Sequence, residues 1–128
     1  MDEPAFGLHN IGQVAITVTD VDRATAFYRD VLGMRFLYSY PGMAFFDCDG
    51  VRLYLTIPTD DRFAGRAVIY FTVSSVEEAF AAIVERGAPI ESHPRIIHAT
   101  ETYDLWMAFF RDPDANQIGI MAEVPRIV

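Results

Sequence analysis

The sequence predicts an α+β fold of two βαβββ modules, each a curved mixed four-stranded sheet with one helix, which together form a shared cavity. The order strand, helix, strand, strand, strand occurs twice, and letters of the first copy recur in the second. A chain of 128 residues with 52% hydrophobic content suits one globular unit with a substantial core. We expect a single domain over residues 1–128, with module one at about 8–58, a linker at 58–66 and module two at about 67–124.

Module one opens with a strand and a helix. Apolar and polar residues alternate over residues 11–18, as in a half-buried strand. Asp20 is a suitable N-cap for the helix that follows, and Gly33 stands where a left-handed cap would end it. The two-residue turn Asp49-Gly50 indicates a hairpin. The remaining strands of this module are predicted over residues 34–40, 43–48 and 51–57.

Module two repeats this order. Residues 68–73 alternate as a strand, Ser75 and Glu78 form a capping box for a second helix, and Gly87 stands at its end. Residues 91–104 are predicted as a looser loop, which accounts for the change in the shift between the two copies from 55 to 64 positions. The last two strands are predicted over residues 105–111 and 117–121.

The repetition extends to individual letters. Residues 18–22 (VTDVD) correspond to residues 73–77 (VSSVE) at a shift of 55 positions. Residues 43–46 (MAFF) recur as residues 107–110 at a shift of 64. Two copies of a unit that cannot bury its own apolar face must pack together. The helix-free faces of the two sheets are then free to curve into a cavity.

Composition excludes several function classes. Eighteen acidic and ten basic residues give a net charge of −8, which disfavours nucleic acid and favours neutral or cationic small molecules. The sequence contains no lysine, so Schiff-base chemistry and a Walker-type phosphate site are excluded. Cys48 is the single cysteine and cannot form an internal disulfide. Without a signal-peptide pattern or an apolar run of ~20 residues, we expect a soluble cytoplasmic protein that does not contact a membrane.

Three stretches together resemble the vicinal oxygen chelate superfamily, which includes glyoxalase I, bleomycin-resistance proteins, fosfomycin-resistance enzymes and extradiol dioxygenases. They are residues 18–28 (VTDVDRATAFY), residues 31–34 (VLGM) and residues 111–114 (RDPD). The resemblance extends from about residue 11 to residue 123. It implies the fold and a homodimer whose cavity a second subunit completes. It leaves the reaction open, since this fold supports many chemistries.

The resemblance also implies where a metal would bind. In metal-dependent members, each module supplies one ligand from its first strand and one from its last. The matching positions here are Gln13 and Tyr54 in module one, and Val68 and Gly119 in module two. A divalent transition metal prefers imidazole, carboxylate or thiolate ligands, and a glycine has no side chain to offer. We therefore expect neither a metal nor another cofactor.

Strand alternation extends these positions into a cavity wall. On this wall Asp47 lies opposite Arg52, either as a cross-strand ion pair or with the arginine free to hold a carboxylate. His98, in the predicted loop, is either a surface histidine or a general base at the cavity rim. Aromatic and methionine residues at these positions suit a flat or apolar ligand, although the same residues are also typical of a plain core. The predicted ligand-binding residues are Gln13, Phe45, Asp47, Arg52, Tyr54, Tyr70, His98, Met107, Phe109 and Met121.

Two hypotheses follow for the function. The first is a metal-independent binding protein of the glyoxalase and bleomycin-resistance type, which sequesters or senses an apolar, aromatic or cationic ligand, as in antibiotic resistance. The alternative is an enzyme of the same superfamily, a glyoxalase-like lyase, isomerase or dioxygenase, with a cofactor-free or rearranged metal site. His98 is then the candidate catalytic residue. Against the enzyme stands the lack of a convergent acid and base on the predicted wall beyond Asp47 and Arg52.

Overall fold

A computed structural model describes residues 6, 8, 10–58 and 67–127, so the predicted linker falls almost wholly outside the described residues. It shows two four-stranded mixed sheets and two helices in the predicted βαβββ order. None of the helices in the described ranges has the length and apolar content needed to span a bilayer. The elements are β1 (Gln13–Thr17), α1 (Val21–Ala26), β2 (Arg35–Tyr40), β3 (Met43–Cys48), β4 (Val51–Thr56), β5 (Val68–Thr72), α2 (Val76–Glu85), β6 (Ile90–Ala99), β7 (Tyr103–Arg111) and β8 (Gln117–Pro125).

The two sheets have the same topology. Their strand orders are β1-β4-β3-β2 and β5-β8-β7-β6, and in each sheet the first two strands are parallel while the other neighbours are antiparallel. Gln13 lies opposite Arg52 in the first sheet, and Val68 lies opposite Gln117 in the second. These two pairs are the equivalents expected from the sequence repeat, so the repeat is a structural one.

Both helices begin at the predicted caps. The side chain of Asp20 accepts a hydrogen bond from the backbone of Arg23, and Ser75 accepts one from Glu78. After α1 the chain continues as a π-helical turn over Phe27–Val31. This turn inserts one extra residue before the chain leaves the helix.

The two modules share one core on the helix sides of their sheets. Its buried residues come from both modules. Phe46 and Phe110, at equivalent positions of the repeat, are both fully buried. Phe110 stacks on Phe80 of α2 with ring centres 5.3 Å apart. Trp106 also packs against this core.

The structure corrects two strand predictions. Residues 91–104, predicted as a loop, are mostly the ten-residue strand β6, which pairs with β7. Three register shifts interrupt this pairing, so the alternation that identifies a strand from sequence is broken. Pro94 is tolerated because β6 is an edge strand. Strand β8 extends beyond the predicted end at residue 121 to Pro125.

A buried carboxylate joins the modules. Asp112, in the turn after β7, accepts hydrogen bonds from the hydroxyl of Tyr28 at 2.8 Å and from the side-chain amide of Asn116 at 2.8 Å. Nearby, Asp114 accepts from the backbone of Thr19 at 2.9 Å. Burial, and then the charge of Asp112, raise the pKa of Tyr28 well above its usual value. The turn of module two is thereby fixed to the first helix of module one.

Candidate functional site

Each sheet packs its helix on one face and leaves the other uncovered; we call the second the open face. In module one, Gln13 lies opposite Arg52, and Arg52 lies opposite Asp47 on the next strand. Phe45 and Tyr54 form the next row of the same face. Directly opposed residues project to the same side of a sheet, so these predicted site residues share one surface. In the ranges that the structure describes, the strands form two separate four-stranded sheets and no closed barrel.

Four aromatic residues, Tyr38, Tyr40, Phe45 and Tyr54, form an aromatic cluster on the open face of module one. The ring of Phe45 stacks on Tyr54, with centres 5.1 Å apart and planes inclined by 19°. The centre of Tyr38 lies 4.9 Å from Phe45, and that of Tyr40 lies 6.2 Å away. Phe45 is 8% exposed whereas Tyr40 is 61% exposed, so the aromatic cluster is buried at its centre and exposed to solvent at its edge. Such a surface can hold a planar ligand by stacking.

Tyr38 and Tyr40 were missed by the sequence analysis because of an irregularity in β2. Phe36 pairs with Phe46 on the helix side, but the register shifts before Tyr38, which pairs with Phe45. Simple alternation would have placed both tyrosines on the helix side with Phe36. The spacing of the tyrosines indicated only that they share a face.

At the centre of the open face of module two, two aromatic rings pack against each other. Tyr70 and Phe109 meet edge to face with ring centres 5.9 Å apart. A Cβ atom at Gly119 would lie 2.9 Å from a carbon of each ring, so this position admits no side chain while the rings stay in place. Met107 lies opposite Met121 and continues the same face. Four predicted site residues are therefore brought together here.

The positions that carry the metal ligands in metal-dependent members do not fit a metal here. They provide one amide (Gln13), one phenol (Tyr54), a valine (Val68) and a glycine, and a divalent transition metal prefers imidazole, carboxylate or thiolate ligands. The space that a side chain at Gly119 would need is taken by aromatic rings. In the described part of the chain, no three His, Cys, Asp or Glu residues are grouped as a metal ion would require.

The polar end of the open face in module one bears on the two alternatives for Arg52. Asp47 lies opposite Arg52, as expected, but its ion pair within the described residues is with Arg35, at 4.0 Å. Strand β3 lies between β4 and β2, so Asp47 has an arginine as a cross-strand neighbour on each side. Asp47 also accepts a hydrogen bond from the backbone of Gly50 at 3.2 Å. Of the two alternatives for Arg52, the structure favours the second, since Asp47 pairs with Arg35 and Arg52 is exposed beside Gln13.

His98 lies in strand β6, so its predicted place in a loop is wrong. It is exposed and pairs with Leu105, which puts it on the open face of module two at the edge strand. Glu123, on the neighbouring strand β8, also lies opposite Leu105. Arg95, which the sequence analysis did not identify, pairs with Met107 and shares this face. The register shifts in β6 prevented both placements from sequence.

Cys48 does not have the surroundings of a nucleophile. Burial raises the pKa of its thiol, and the charges of Asp49 and Asp47 raise it further. A raised pKa lowers the population of the reactive thiolate.

The fold and site define a class: paired βαβββ modules that display an open sheet face on each side of a shared core. The family model described as the Glyoxalase/Bleomycin resistance protein/Dioxygenase superfamily matches residues 10–120, and the chain belongs to this family. The resemblance seen in the sequence is thus confirmed.

Solved structures of other members superpose on most of the chain. Lactoylglutathione lyase from Agrobacterium tumefaciens is 24% identical with a TM-score of 0.75, over 91% of this chain and 95% of that one. A virulence protein from Salmonella typhimurium is 23% identical with a TM-score of 0.77, over 93% and 100%. TnmS3, an antibiotic binding protein from Streptomyces sp. CB03234, is 20% identical with a TM-score of 0.74, over 92% and 98%. At these identities the likeness shows the shared fold.

Proposed function

We propose that this protein is a metal-independent small-molecule-binding member of its superfamily, which sequesters or senses a planar aromatic ligand. The aromatic cluster on the open face of module one is the observation that carries the proposal. Its central pair, Phe45 and Tyr54, is already stacked, so a ligand would meet a surface that needs little rearrangement. The net charge of −8 favours a ligand with a positive charge through long-range attraction.

The closure of Tyr70 and Phe109 over Gly119 supports metal independence. A carboxylate at this position would displace both rings, because even a Cβ atom comes within 2.9 Å of them. The open face of module two is thus organised by ring packing rather than by ligands for an ion. It offers a second apolar wall with methionines, which adapt to the shape of a ligand.

A second copy of the chain would complete the site. Tyr70 is 50% exposed and Val68 is 48% exposed, which leaves apolar surface uncovered on the open face of module two. Pairing this face with the aromatic cluster of a second copy would cover both and enclose a ligand between them. TnmS3, an antibiotic binding protein with the same fold, supports a binding role for this chain, which could serve antibiotic resistance.

Metal content tests the first part of the proposal. Protein without an affinity tag is purified without chelators, equilibrated with nickel, zinc, manganese or ferrous iron, and measured by elemental analysis. We expect a stoichiometry close to zero in every case. One tight metal per chain would contradict metal independence and favour the alternative, a lyase or dioxygenase with a rearranged site.

Binding of 9-aminoacridine, a planar aromatic cation, tests the second part. We expect saturable binding that Tyr54→Ala weakens about tenfold, since loss of one stacking partner costs about 1–1.5 kcal/mol. Leu37→Ala, on the same sheet but outside the aromatic cluster, is the control and should leave the affinity unchanged. Equal affinity of the wild type and Tyr54→Ala would contradict the role of the aromatic cluster.

A further inference from the structure

A cavity of about 350 Å³ lies on the helix side of module two, between α2 and its sheet. We call it the α2 cavity. Ile118 and Ile120 contribute to its wall, and they alternate along β8 with the residues of the open face. The cavity is therefore separate from the site proposed above. Its wall also includes Leu32, Phe71, Ala82 and Arg86.

The sequence repeat shows that one position beside this cavity carries very different side chains in the two modules. Counted from the N-caps Asp20 and Ser75, Phe27 of module one occupies the same helical position as Ala82 of module two. Phe27 is 7% exposed and packs in the core, whereas the short side chain of Ala82 borders the cavity. At this helical position module one therefore buries a large aromatic side chain, whereas module two has a small and exposed residue beside the cavity.

The size and wall of the α2 cavity suit a small apolar molecule. Ligand pockets in proteins commonly enclose about 300–1,000 Å³ and have mostly apolar walls with a few polar groups. Ala82 and Arg86 are exposed, so the α2 cavity opens to solvent along α2 and a ligand can enter from that side. Phe71, Ile118 and Ile120 supply such a wall from the sheet side.

Arg86 is the charged residue of this wall, at the end of α2. Its side chain is exposed, and Nη1 donates to the carbonyl oxygen of Val31 at 3.3 Å. A guanidinium has five N–H donors, and one is used in this bond. The remaining donors can pair with a carboxylate, which a guanidinium binds in a two-pronged geometry.

We propose that the α2 cavity binds a small amphipathic carboxylate. The alkyl chain would lie between Ala82 and the wall formed by Ile118 and Phe71, and the carboxylate would pair with Arg86. A protein with a net charge of −8 repels anions in general, so Arg86 is the group that would select for the acid. This proposal does not depend on the function proposed for the open faces.

Octanoate, with 1-octanol as its neutral analogue, is the probe for this site. Titrations followed by calorimetry should show saturable binding of octanoate to the wild-type protein. Arg86→Gln should weaken octanoate binding about tenfold, the loss expected for a charge-assisted hydrogen bond, and should leave 1-octanol unchanged. An equal effect on both probes, or no saturable binding of octanoate at millimolar concentration, would overturn the proposal.

Filling the cavity gives an independent test. Ala82→Phe installs the residue that module one has at this position and should abolish octanoate binding while raising the melting temperature. Ala82→Leu fills the space in part and covers the case in which the phenylalanine variant does not fold. Tyr54→Ala, on the open face of module one, should bind octanoate like the wild type. Full binding by the folded Ala82 variants, or its loss in Tyr54→Ala, would place the ligand elsewhere and refute the proposal.

Discussion

The two modules share a backbone plan and differ in the size of the side chains that fill it. Strand order is the same in both sheets, and so is the register of all strand pairs except those of the edge strands β2 and β6. Module one has Tyr54 and Phe27 where module two has Gly119 and Ala82. The large side chains give module one an aromatic open face and a buried ring after its first helix, and the small ones give module two a packed pair of rings and the α2 cavity. The repeated frame thus sets the fold, and the differences between its copies create the candidate sites.

The largest loss of stability is expected at core positions where both modules have the same residue. Phe46→Ala and Phe110→Ala each remove a fully buried ring from the shared core, and each should cost about 3–5 kcal/mol of unfolding free energy. Urea denaturation followed by circular dichroism and by the fluorescence of Trp106 should give coincident transitions in both variants. If Phe46→Ala unfolded module one before the signal of Trp106 changed, the single core would be refuted.

The next largest loss of stability is expected at the hydrogen-bonded junction between the modules, whose carboxylate belongs to module two. Asp112→Ala removes the acceptor for the Tyr28 hydroxyl and the Asn116 amide, and we expect a loss of about 3 kcal/mol in unfolding free energy. Cys48→Ala, at the equivalent position of module one, is the matched control and should cost less than about 1 kcal/mol. Similar losses in the two variants would show that Asp112 does not link the modules.

The phenol of Tyr28 makes the same junction sensitive to alkaline pH. Burial raises its pKa in the folded state above the ordinary value of 10.0. Above that pH the unfolded chain releases the proton and the folded chain keeps it, so this group lowers the unfolding free energy by about 1.4 kcal/mol per pH unit. Below that pH the contribution of this group is constant.

At pH 7 the unfolding free energy of Tyr28→Phe should be about 1 kcal/mol lower than that of the wild type, because the hydrogen bond to Asp112 is lost. Between pH 10 and 11 its unfolding free energy should decline less steeply than that of the wild type. Urea denaturation at both pH values measures this difference. Parallel declines would contradict the assignment of the slope to Tyr28.

The smallest expected effect is a gain in stability from a substitution in the turn between β7 and β8. Ala115 has a φ of 65°, a left-handed conformation that costs a side chain about 1–2 kcal/mol. Ala115→Gly should therefore raise the unfolding free energy by about 0.5–1 kcal/mol after the greater freedom of glycine in the unfolded chain is included. Asp49→Gly in the hairpin of module one is the comparison, since Asp tolerates its φ of 48° better than Ala does. A larger gain at Asp49 would reverse the expected order.

Regular elements could be predicted from the sequence, and irregular ones could not. The caps Asp20 and Ser75 and the βαβββ order of each module follow from local patterns. The faces occupied by Tyr38 and Arg95 depend on register shifts in edge strands, which leave no periodic signal in the sequence. From the sequence, Gly119 indicated only that a metal-ligand position has no side chain. The rings that exclude a side chain there come from two other strands, and only the folded chain brings them together.

The irregular pairing of β6 also affects how the protein behaves in concentrated solution. An edge strand with free backbone groups can template the addition of further chains and start a fibril. β6 is a ten-residue edge strand, but its three register shifts and Pro94 interrupt the regular ladder that an incoming strand would need. The features that hid this strand from sequence analysis thus also make it a poor seed for aggregation.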